Sequence, residues 1–276
     1  MGSERSKAIS EEGVFRGFLD QANLLAVGNP FGFDLFETSL NEAPKWDGSF
    51  RSHKVGRIAE EAMSTYLRFS QRFDLIAEQI VIKDGKLTKG ELDYLIWDKE
   101  QKLTVHLELA CKFYLYDPSL GDGIAAWIGP NRNDLLKDKL HHIKDHQLPI
   151  LHENYTQETL EKLGIDAAMV VQRVCLKGFL FTPFGTELDK GMQVDPAAWV
   201  GYYYTLKQLQ ERLDPDAELA IIPKPKWLAH PMAAVSWFLW NEVSIDLTHR
   251  LQQKKSTMLW LRKNNDDIER CFVVWW

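Results

Sequence analysis

The segment GELDYLIWDKEQKLTVHLELACK, residues 90–112, decides how the middle of this chain folds. Two apolar runs flank the charged stretch DKEQK, which is the pattern of a β-hairpin. Because side chains alternate between the two faces of a strand, Asp93 shares a face with Leu95 in the first run. Glu108 shares a face with Lys112 in the second run. Pairing of the two strands then places Asp93 beside Glu108 on one face of a sheet.

Two carboxylates inside apolar strands need a compensating charge. Neighbouring negative charges repel, and burial adds the cost of removing each from water. A divalent cation between Asp93 and Glu108 offsets both costs, and oxygen ligands are the ones that Mg²⁺ prefers. Lys112 would then stabilise charge on a phosphodiester or position a water molecule. The alternative is a set of ordinary cross-strand charge pairs with Lys102 and Lys112.

Hydrophobic periodicity predicts the elements around this hairpin. They are helices over 11–27 and 55–69, a strand around 79–83 that completes an antiparallel meander, a helix over 133–148, and a strand over 167–184. Glu60 lies at the edge of the apolar stripe of the second helix. The order of helix, three strands, helix and strand predicts an α/β fold built on a mixed α+β sheet.

Shorter helical and strand patterns follow residue 185. We therefore expect a core with its N-terminal helix over 1–185, and a C-terminal α/β extension or subdomain over 186–276. No linker within the chain is long enough to force a boundary between them.

Composition indicates an ordinary globular protein. The chain has 276 residues, 45% of them hydrophobic and 26% charged, which suits one large domain or two modest ones. There is no apolar run long enough for a membrane span, and the first residues lack the apolar segment of a secretory signal. The three cysteines all lie in apolar stretches, which favours free thiols in a reducing cytoplasm over disulfides. We expect a cytoplasmic protein.

The net charge of −6 argues against a protein that coats nucleic acid with its whole surface. It leaves room for an enzyme whose basic groups lie in one groove. The stretch SFRSHKVGR, residues 49–57, carries Arg51, Lys54 and Arg57 without an acidic residue, so these three are candidates for binding a phosphate backbone. A solvated approach to the second helix is the alternative.

The order of elements and the hairpin motif together resemble the PD-(D/E)XK nuclease superfamily. That superfamily has a restriction-endonuclease-like core of helix, three strands, helix and strand, with an Asp on one strand and Glu/Asp-x-Lys on the next. The segment GELD and the following strand with Glu and Lys are similar to its junction-resolvase-type members. The segments GPNRND, HQLPI, LKGFLF and ERCFVV are more closely similar to a bacterial family of unknown function that has been grouped with this superfamily.

The resemblance implies roles for individual residues. Asp93 matches the metal-binding Asp of the motif, and Glu60 matches an acidic residue that many members carry on the preceding helix. The third element departs from the pattern, because the chain has Glu108-Leu109-Ala110-Cys111-Lys112 where the motif has Glu-x-Lys. Ala110 therefore takes the place of either the acid or the lysine, so Glu108 and Lys112 are one strand repeat apart.

Several other polar residues have two interpretations. Lys139 and Gln147 on the helix over 133–148 either face the sheet, where they could contact phosphate, or have capping and surface roles, which are favoured. His142 and His146 have the spacing of a helical metal pair, although a solvated helix face is favoured. His106 shares the face of Glu108 as a site residue or as a packed imidazole. We expect Glu91 to be exposed.

The resulting hypothesis is a Mg²⁺-dependent nuclease that hydrolyses phosphodiester bonds in DNA, with metal held by Asp93, Glu108 and Glu60. A catalytically degenerate module of the same fold, which binds nucleic acid or a protein partner, is the principal alternative. A third class is an assembly protein that uses the aromatic C-terminal part as an interface.

Overall fold

A computed structural model describes residues 9–46, 48–232, 235–264 and 267–276 of the chain. Six α-helices lie within these ranges. They are α1 (Glu11–Asp20), α2 (Val55–Phe69), α3 (Leu136–His142), α4 (Asn154–Lys162), α5 (Leu206–Arg212) and α6 (Trp240–Gln252). The predicted helix over 55–69 is confirmed at both ends, because Val55, Ile58, Ala62 and Tyr66 all turn into the core.

The described ranges also contain ten strands that form one sheet. They are β1 (Phe73–Asp84), β2 (Leu87–Asp98), β3 (Leu103–Tyr116), β4 (Trp127–Ile128), β5 (Val170–Pro183), β6 (Trp199–Thr205), β7 (Glu218–Ile221), β8 (Phe238–Leu239), β9 (Thr257–Asn264) and β10 (Asp267–Val274). The strand order is β1-β2-β3-β5-β6-β10-β9-β7-β8, with β4 paired to β3. The sheet is mixed, as predicted: β5 is parallel to β3 and to β6, and β6 is parallel to β10, while the other pairs are antiparallel.

The predicted three-stranded meander is confirmed as β1, β2 and β3. Strand β3 is then covered on its other edge by β5 along nearly its whole length, from Thr104 opposite Val170 to Leu115 opposite Phe181. Both strands are rich in branched apolar residues, as expected for parallel strands buried on both faces. Polar side chains on β3 therefore lie in the middle of the sheet.

Helices cover both faces of the sheet around β3. On one face, α1 and α2 pack on a cluster that includes Tyr94, Leu107 and Phe113. On the other face, α3 packs on a cluster that includes Ala110 and Tyr114. The alternation of β3 thus directs His106, Glu108 and Lys112 toward the α3 side, and this arrangement positions the candidate site.

Strand β2 departs from the strict alternation that its sequence predicts. Leu92 and Leu95 both pack in a cluster with Ile150 and Leu160, whereas Tyr94 lies with α2 on the other face. The neighbouring strand β1 is irregular at this level, with a register shift between Leu75 and Ala77 and a φ of 51° at Gln79. The irregular pairing lets β2 twist between Leu92 and Leu95.

The sheet and its core continue across the predicted boundary between residues 185 and 186. Strand β5 pairs with β6, and one cluster of buried aromatic residues contains Phe113 and Phe179 from the first part with Trp260 and Phe272 from the second. Tyr204 is also fully buried, so much of the C-terminal aromatic content serves core packing. The division of the chain into two parts stays a prediction.

Two helix predictions are wrong in extent. Helix α1 ends at Asp20 instead of continuing to 27, because the side chains of Gln21 and Asn23 bind the backbone of β5 at Gly178 and Leu176. The helix predicted over 133–148 is α-helical only from Leu136. Its last part, Ile143–Gln147, is a π-helical turn.

Within the described ranges, no helix is both long enough and apolar enough to cross a membrane.

The first testable prediction concerns Gly17, where α1 meets the C-terminal part of the chain. A Cβ atom on Gly17 would lie 2.1 Å from the backbone oxygen of Leu228, which is too close for any real contact. We expect Gly17→Ala to lower the free energy of unfolding by about 1–3 kcal/mol, although alanine is the better helix former. Urea unfolding measures this change.

Gly56→Ala in α2 is the matched control, since a Cβ there meets nothing within 4 Å. This variant should be as stable as the wild type or more stable by about 0.5 kcal/mol. Equal stability of Gly17→Ala and wild type would contradict the close packing of α1 on residue 228.

Candidate active site

Asp93 and Glu108 lie next to each other at the end of the β2–β3 ladder. The ladder ends where Tyr94 pairs with Leu107, and Asp93 and Glu108 are the next residues beyond this pair on their two strands. The backbone N–H of Leu109 donates to Asp93 Oδ2 at 2.8 Å, which fixes the aspartate against β3. The structure therefore brings the two predicted metal ligands together.

The two carboxylates are both strongly perturbed. Burial, and next the charge of Glu108, raise the pKa of Asp93 to about 7. Burial likewise raises the pKa of Glu108 to about 7, against the opposing charge of Lys139. Glu108 is 1% exposed and Asp93 is half-buried, so the pair opens to solvent on the Asp93 side. Such a pair favours binding a cation or sharing a proton.

A further carboxylate on the strand of Asp93 has a structural role and serves as a comparison. Asp98 on β2 is fully buried, but Arg72 donates to both of its oxygens at 2.7–3.2 Å. Burial would raise the pKa of Asp98, but the hydrogen bond and charge of Arg72, together with the backbone N–H groups of Gln101 and Glu100, outweigh it and hold the pKa below its ordinary value. Asp98 is thus neutralised by the protein itself, in contrast to Asp93 and Glu108.

Neutral side chains hold Glu108 in place. His106 Nε2 lies 2.8 Å from Glu108 Oε1, and Gln147 Nε2 donates to Glu108 Oε2 at 2.6 Å. Burial lowers the pKa of His106 to about 4, so this imidazole is uncharged near neutral pH. His106 is therefore a buried hydrogen-bonding partner of the site and not a cation that would neutralise it.

Lys139 brings a positive charge to the site from α3. Its Nζ donates to Gln147 Oε1 at 2.7 Å, and Gln147 in turn donates to Glu108. Burial, and next the charge of Lys112, lower the pKa of Lys139, while the charges of Glu108 and Asp93 raise it. Lys139 and Gln147 thus face the sheet, and the surface alternative is wrong for both.

The π-helical turn explains how Lys139 and Gln147 come to share a face. Gln147 lies eight positions after Lys139 in the sequence. In a straight α-helix this spacing rotates the two side chains about 80° apart. The turn at Ile143–Gln147 takes up one extra residue, which returns Gln147 to the side of Lys139. Sequence periodicity alone does not indicate where such a turn occurs.

Glu60 lies at the border of the site. Its Oε2 accepts hydrogen bonds from Arg57 Nη1 at 2.5 Å and from Gln79 Nε2 at 3.1 Å. Burial raises the pKa of Glu60, against the hydrogen bond and charge of Arg57. The pKa of Arg57 is raised by Glu60 first and also by the more distant charges of Glu91 and Asp93. Arg57 is thus the member of the predicted basic stretch that approaches the carboxylates.

The remaining candidates lie further out. Lys112 is half-buried and donates to Asp134 Oδ2 at 2.9 Å, so its ammonium is paired with a loop carboxylate. Arg51 lies beside Glu61 with an exposed side chain, and Lys54 is exposed at the start of α2. Their roles in binding a substrate stay predictions.

The sequence interpretation missed two residues of the site. Glu91 is half-buried and not exposed, and its charge raises the pKa values of Asp93, Glu108 and Glu60. Gln172 on β5 contacts His106 Nδ1 at 3.0 Å. The strand face shared with Asp93 could have identified Glu91, but Gln172 reaches the site only through the pairing of β5 with β3.

The described part of the chain contains no group of three or more His, Cys, Asp and Glu side chains that could hold a metal ion. His142 and His146 are exposed, with ring centroids 5.3 Å apart, in agreement with the solvated helix face. The Asp93–Glu108 pair still fits Mg²⁺, because this ion is commonly bound through one or two carboxylates and keeps several waters.

The perturbed carboxylates predict how stability depends on pH. The pKa of Asp93 is higher in the folded protein, so the folded state binds more protons than the unfolded chain between the ordinary value of 3.8 and about 7. Stability therefore falls as pH rises through this range. Asp93→Asn removes the charge but keeps an oxygen for the Leu109 N–H, so we expect it to be more stable than wild type by at least about 1 kcal/mol above pH ~7.

Denaturant unfolding measured at pH values on both sides of this range tests the expectation, since the advantage of the variant should shrink in acid. Asp74→Asn on β1, whose side chain is 63% exposed, is the control and should follow the wild-type profile. If Asp93→Asn is less stable than wild type at every pH, the ionisation of Asp93 does not destabilise the folded protein.

Comparison with known proteins places the chain in a family. The model of a domain of unknown function, DUF1853, matches residues 33–274, a range that includes both the candidate site and the C-terminal strands. None of the curated proteins and none of the solved structures matches the chain. The match does not link the family to the PD-(D/E)XK superfamily and assigns it no activity. Because it covers most of the sequence, this protein belongs to the DUF1853 family.

Proposed function

We propose that this protein is a divalent-cation-dependent phosphodiesterase that hydrolyses nucleic acid, with DNA as the substrate. The observation that carries the proposal is the Asp93–Glu108 pair, two adjacent carboxylates that are buried without a direct cationic partner among the described residues. Asp93 and Glu108 would hold Mg²⁺ or Mn²⁺, and Glu60 at the border would bind a water molecule on the cation. The cation would supply Lewis-acid charge to a phosphate group.

The order of elements supports the proposal. Helix α2, strands β1, β2 and β3, helix α3 and strand β5 occur in the order of the restriction-endonuclease-like core, with β4 inserted before α3 and α4 inserted before β5. Strand β5 lies parallel to β3, beside the strand that carries Glu108. The finer assignment to the PD-(D/E)XK superfamily is part of this proposal, and it rests on that order together with Asp93 and Glu108.

Lys139 takes the place of the missing motif lysine in this proposal. Ala110 occupies the position two residues after Glu108, and Lys112 is paired with Asp134. Lys139 reaches the carboxylates from α3, held through Gln147. An ammonium in this place stabilises the negative charge that develops on the phosphate oxygens, and Arg57 at the border would bind the substrate backbone.

A cleavage assay tests the proposal on single-stranded, duplex and branched DNA and on RNA, with Mg²⁺, with Mn²⁺ and with chelator. We expect cleavage only with the cation. Asp93→Asn should lower the rate by at least about 100-fold, since it weakens the ligand set, and Lys139→Met should lower it by about 100-fold. Lys112→Met should have a smaller effect because that lysine is paired elsewhere.

Lys137→Met on the exposed side of α3 is the matched control and should cleave as wild type does. Equal rates for wild type and Asp93→Asn would rule out this site as the catalytic one. Absence of cleavage in every substrate, combined with retained DNA binding, would select the degenerate alternative. That alternative has its own support in Ala110 and in the Lys112–Asp134 pair.

A further inference from the structure

Gln172 connects the two groups that hold Glu108. It lies on β5 directly opposite His106 in the parallel ladder with β3. Its Nε2 contacts the backbone oxygen of Leu148 at 2.6 Å and His106 Nδ1 at 3.0 Å. Leu148 immediately follows Gln147, the second residue that donates to Glu108. The amide of Gln172 thus contacts one donor to Glu108 directly and contacts the residue that follows the other donor.

The contact with Leu148 fixes the orientation of the amide. A backbone carbonyl only accepts hydrogen bonds, so the Gln172 atom that approaches it must be the NH₂ group. The same NH₂ group then donates to His106 Nδ1, which must be the unprotonated ring nitrogen. In a neutral imidazole the proton is therefore on Nε2, where it donates to Glu108 Oε1 at 2.8 Å.

Each oxygen of Glu108 thus receives one N–H hydrogen bond. Gln172 contacts the side chain that donates to Oε1, and it contacts the backbone of the residue that follows the donor to Oε2. His106 is fully buried and donates to Oε1, while Gln147 donates to Oε2 from the π-helical turn. Both donors are neutral, so they orient the carboxylate without neutralising it. A carboxylate held in one orientation is what a metal ligand requires, and partners in the outer shell commonly supply this orientation.

We propose that Gln172 is a positioning residue of the site, which locks His106 in the Nε2–H tautomer and holds the backbone at Leu148, directly after Gln147, so that both donors fix Glu108. The expected consequence of this positioning is tighter binding of the divalent cation, and that consequence rests on the proposed function. The tautomer lock itself does not depend on any metal.

NMR of the His106 imidazole in the metal-free protein tests the lock. The wild type should show one neutral tautomer with a protected Nε2–H proton, and Gln172→Leu should lose that signal or show both tautomers. Mn²⁺ titration by calorimetry tests the consequence, with a loss of about tenfold or more in affinity expected for Gln172→Leu. Gln253→Leu, an exposed position at the end of α6, is the control and should match wild type in both measurements.

Substitution of His106 gives a second test in case Gln172→Leu does not fold. In His106→Gln the new amide oxygen can accept from Gln172 and the new NH₂ group can donate to Glu108, so Mn²⁺ affinity should stay within about threefold of wild type. His106→Leu removes both bonds and should lose about tenfold or more. Equal affinities of these two variants would overturn the positioning role.

The two proposals fail in different ways. An unchanged His106 tautomer in Gln172→Leu overturns the lock, whatever the metal affinity is. A wild-type protein with the single tautomer that binds neither Mn²⁺ nor Mg²⁺ overturns the proposed function, and with it the positioning role, while the lock stands as a structural feature.

Discussion

The burial of Asp93 beside Glu108 is the constraint on which the rest of this site depends. Each carboxylate loses water when the sheet forms, which raises its pKa, and the charge of Glu108 raises the pKa of Asp93 further. The protein does not relieve this cost as it does at Asp98, where Arg72 supplies a bidentate cation on the same strand. The proposed function rests on this contrast within a single strand.

The groups around the pair orient it without neutralising it. Asp93 is fixed by a backbone N–H, and Glu108 by a neutral imidazole and a neutral amide. The nearest cation, Lys139, reaches Glu108 through Gln147 and has a lowered pKa itself. In the proposed function, a bound divalent cation would turn this electrostatic cost into binding energy. Membership of the DUF1853 family extends this question to its other members, in which the same hydrogen-bond network can be sought.

The position of the site within a wide sheet gives it rigidity. Strand β3 has β2 on one edge and β5 on the other, and helices cover both faces. The residues in contact with Glu108 come from β3 and from the π-helical turn, and His106 is in turn contacted from β5. Elements that are distant in sequence must therefore pack together before the site exists. The C-terminal strands extend the same sheet and share its aromatic core, so they support the site through packing.

The sequence by itself determined the elements and the face on which the central residues lie. The hairpin pattern of residues 90–112 was sufficient to place Asp93 beside Glu108, although β2 breaks the strict alternation between Leu92 and Leu95. The apolar stripe over 55–69 predicted both ends of α2. Both patterns are local consequences of backbone geometry. Tertiary structure decided which lysine faces the carboxylates and which amides hold them. Lys139 and Gln147 share a face only because a π-helical turn shifts the helix, and Gln172 meets His106 only through a strand pair 66 residues apart in sequence. Those contacts arise from packing between distant segments, which no local periodicity encodes.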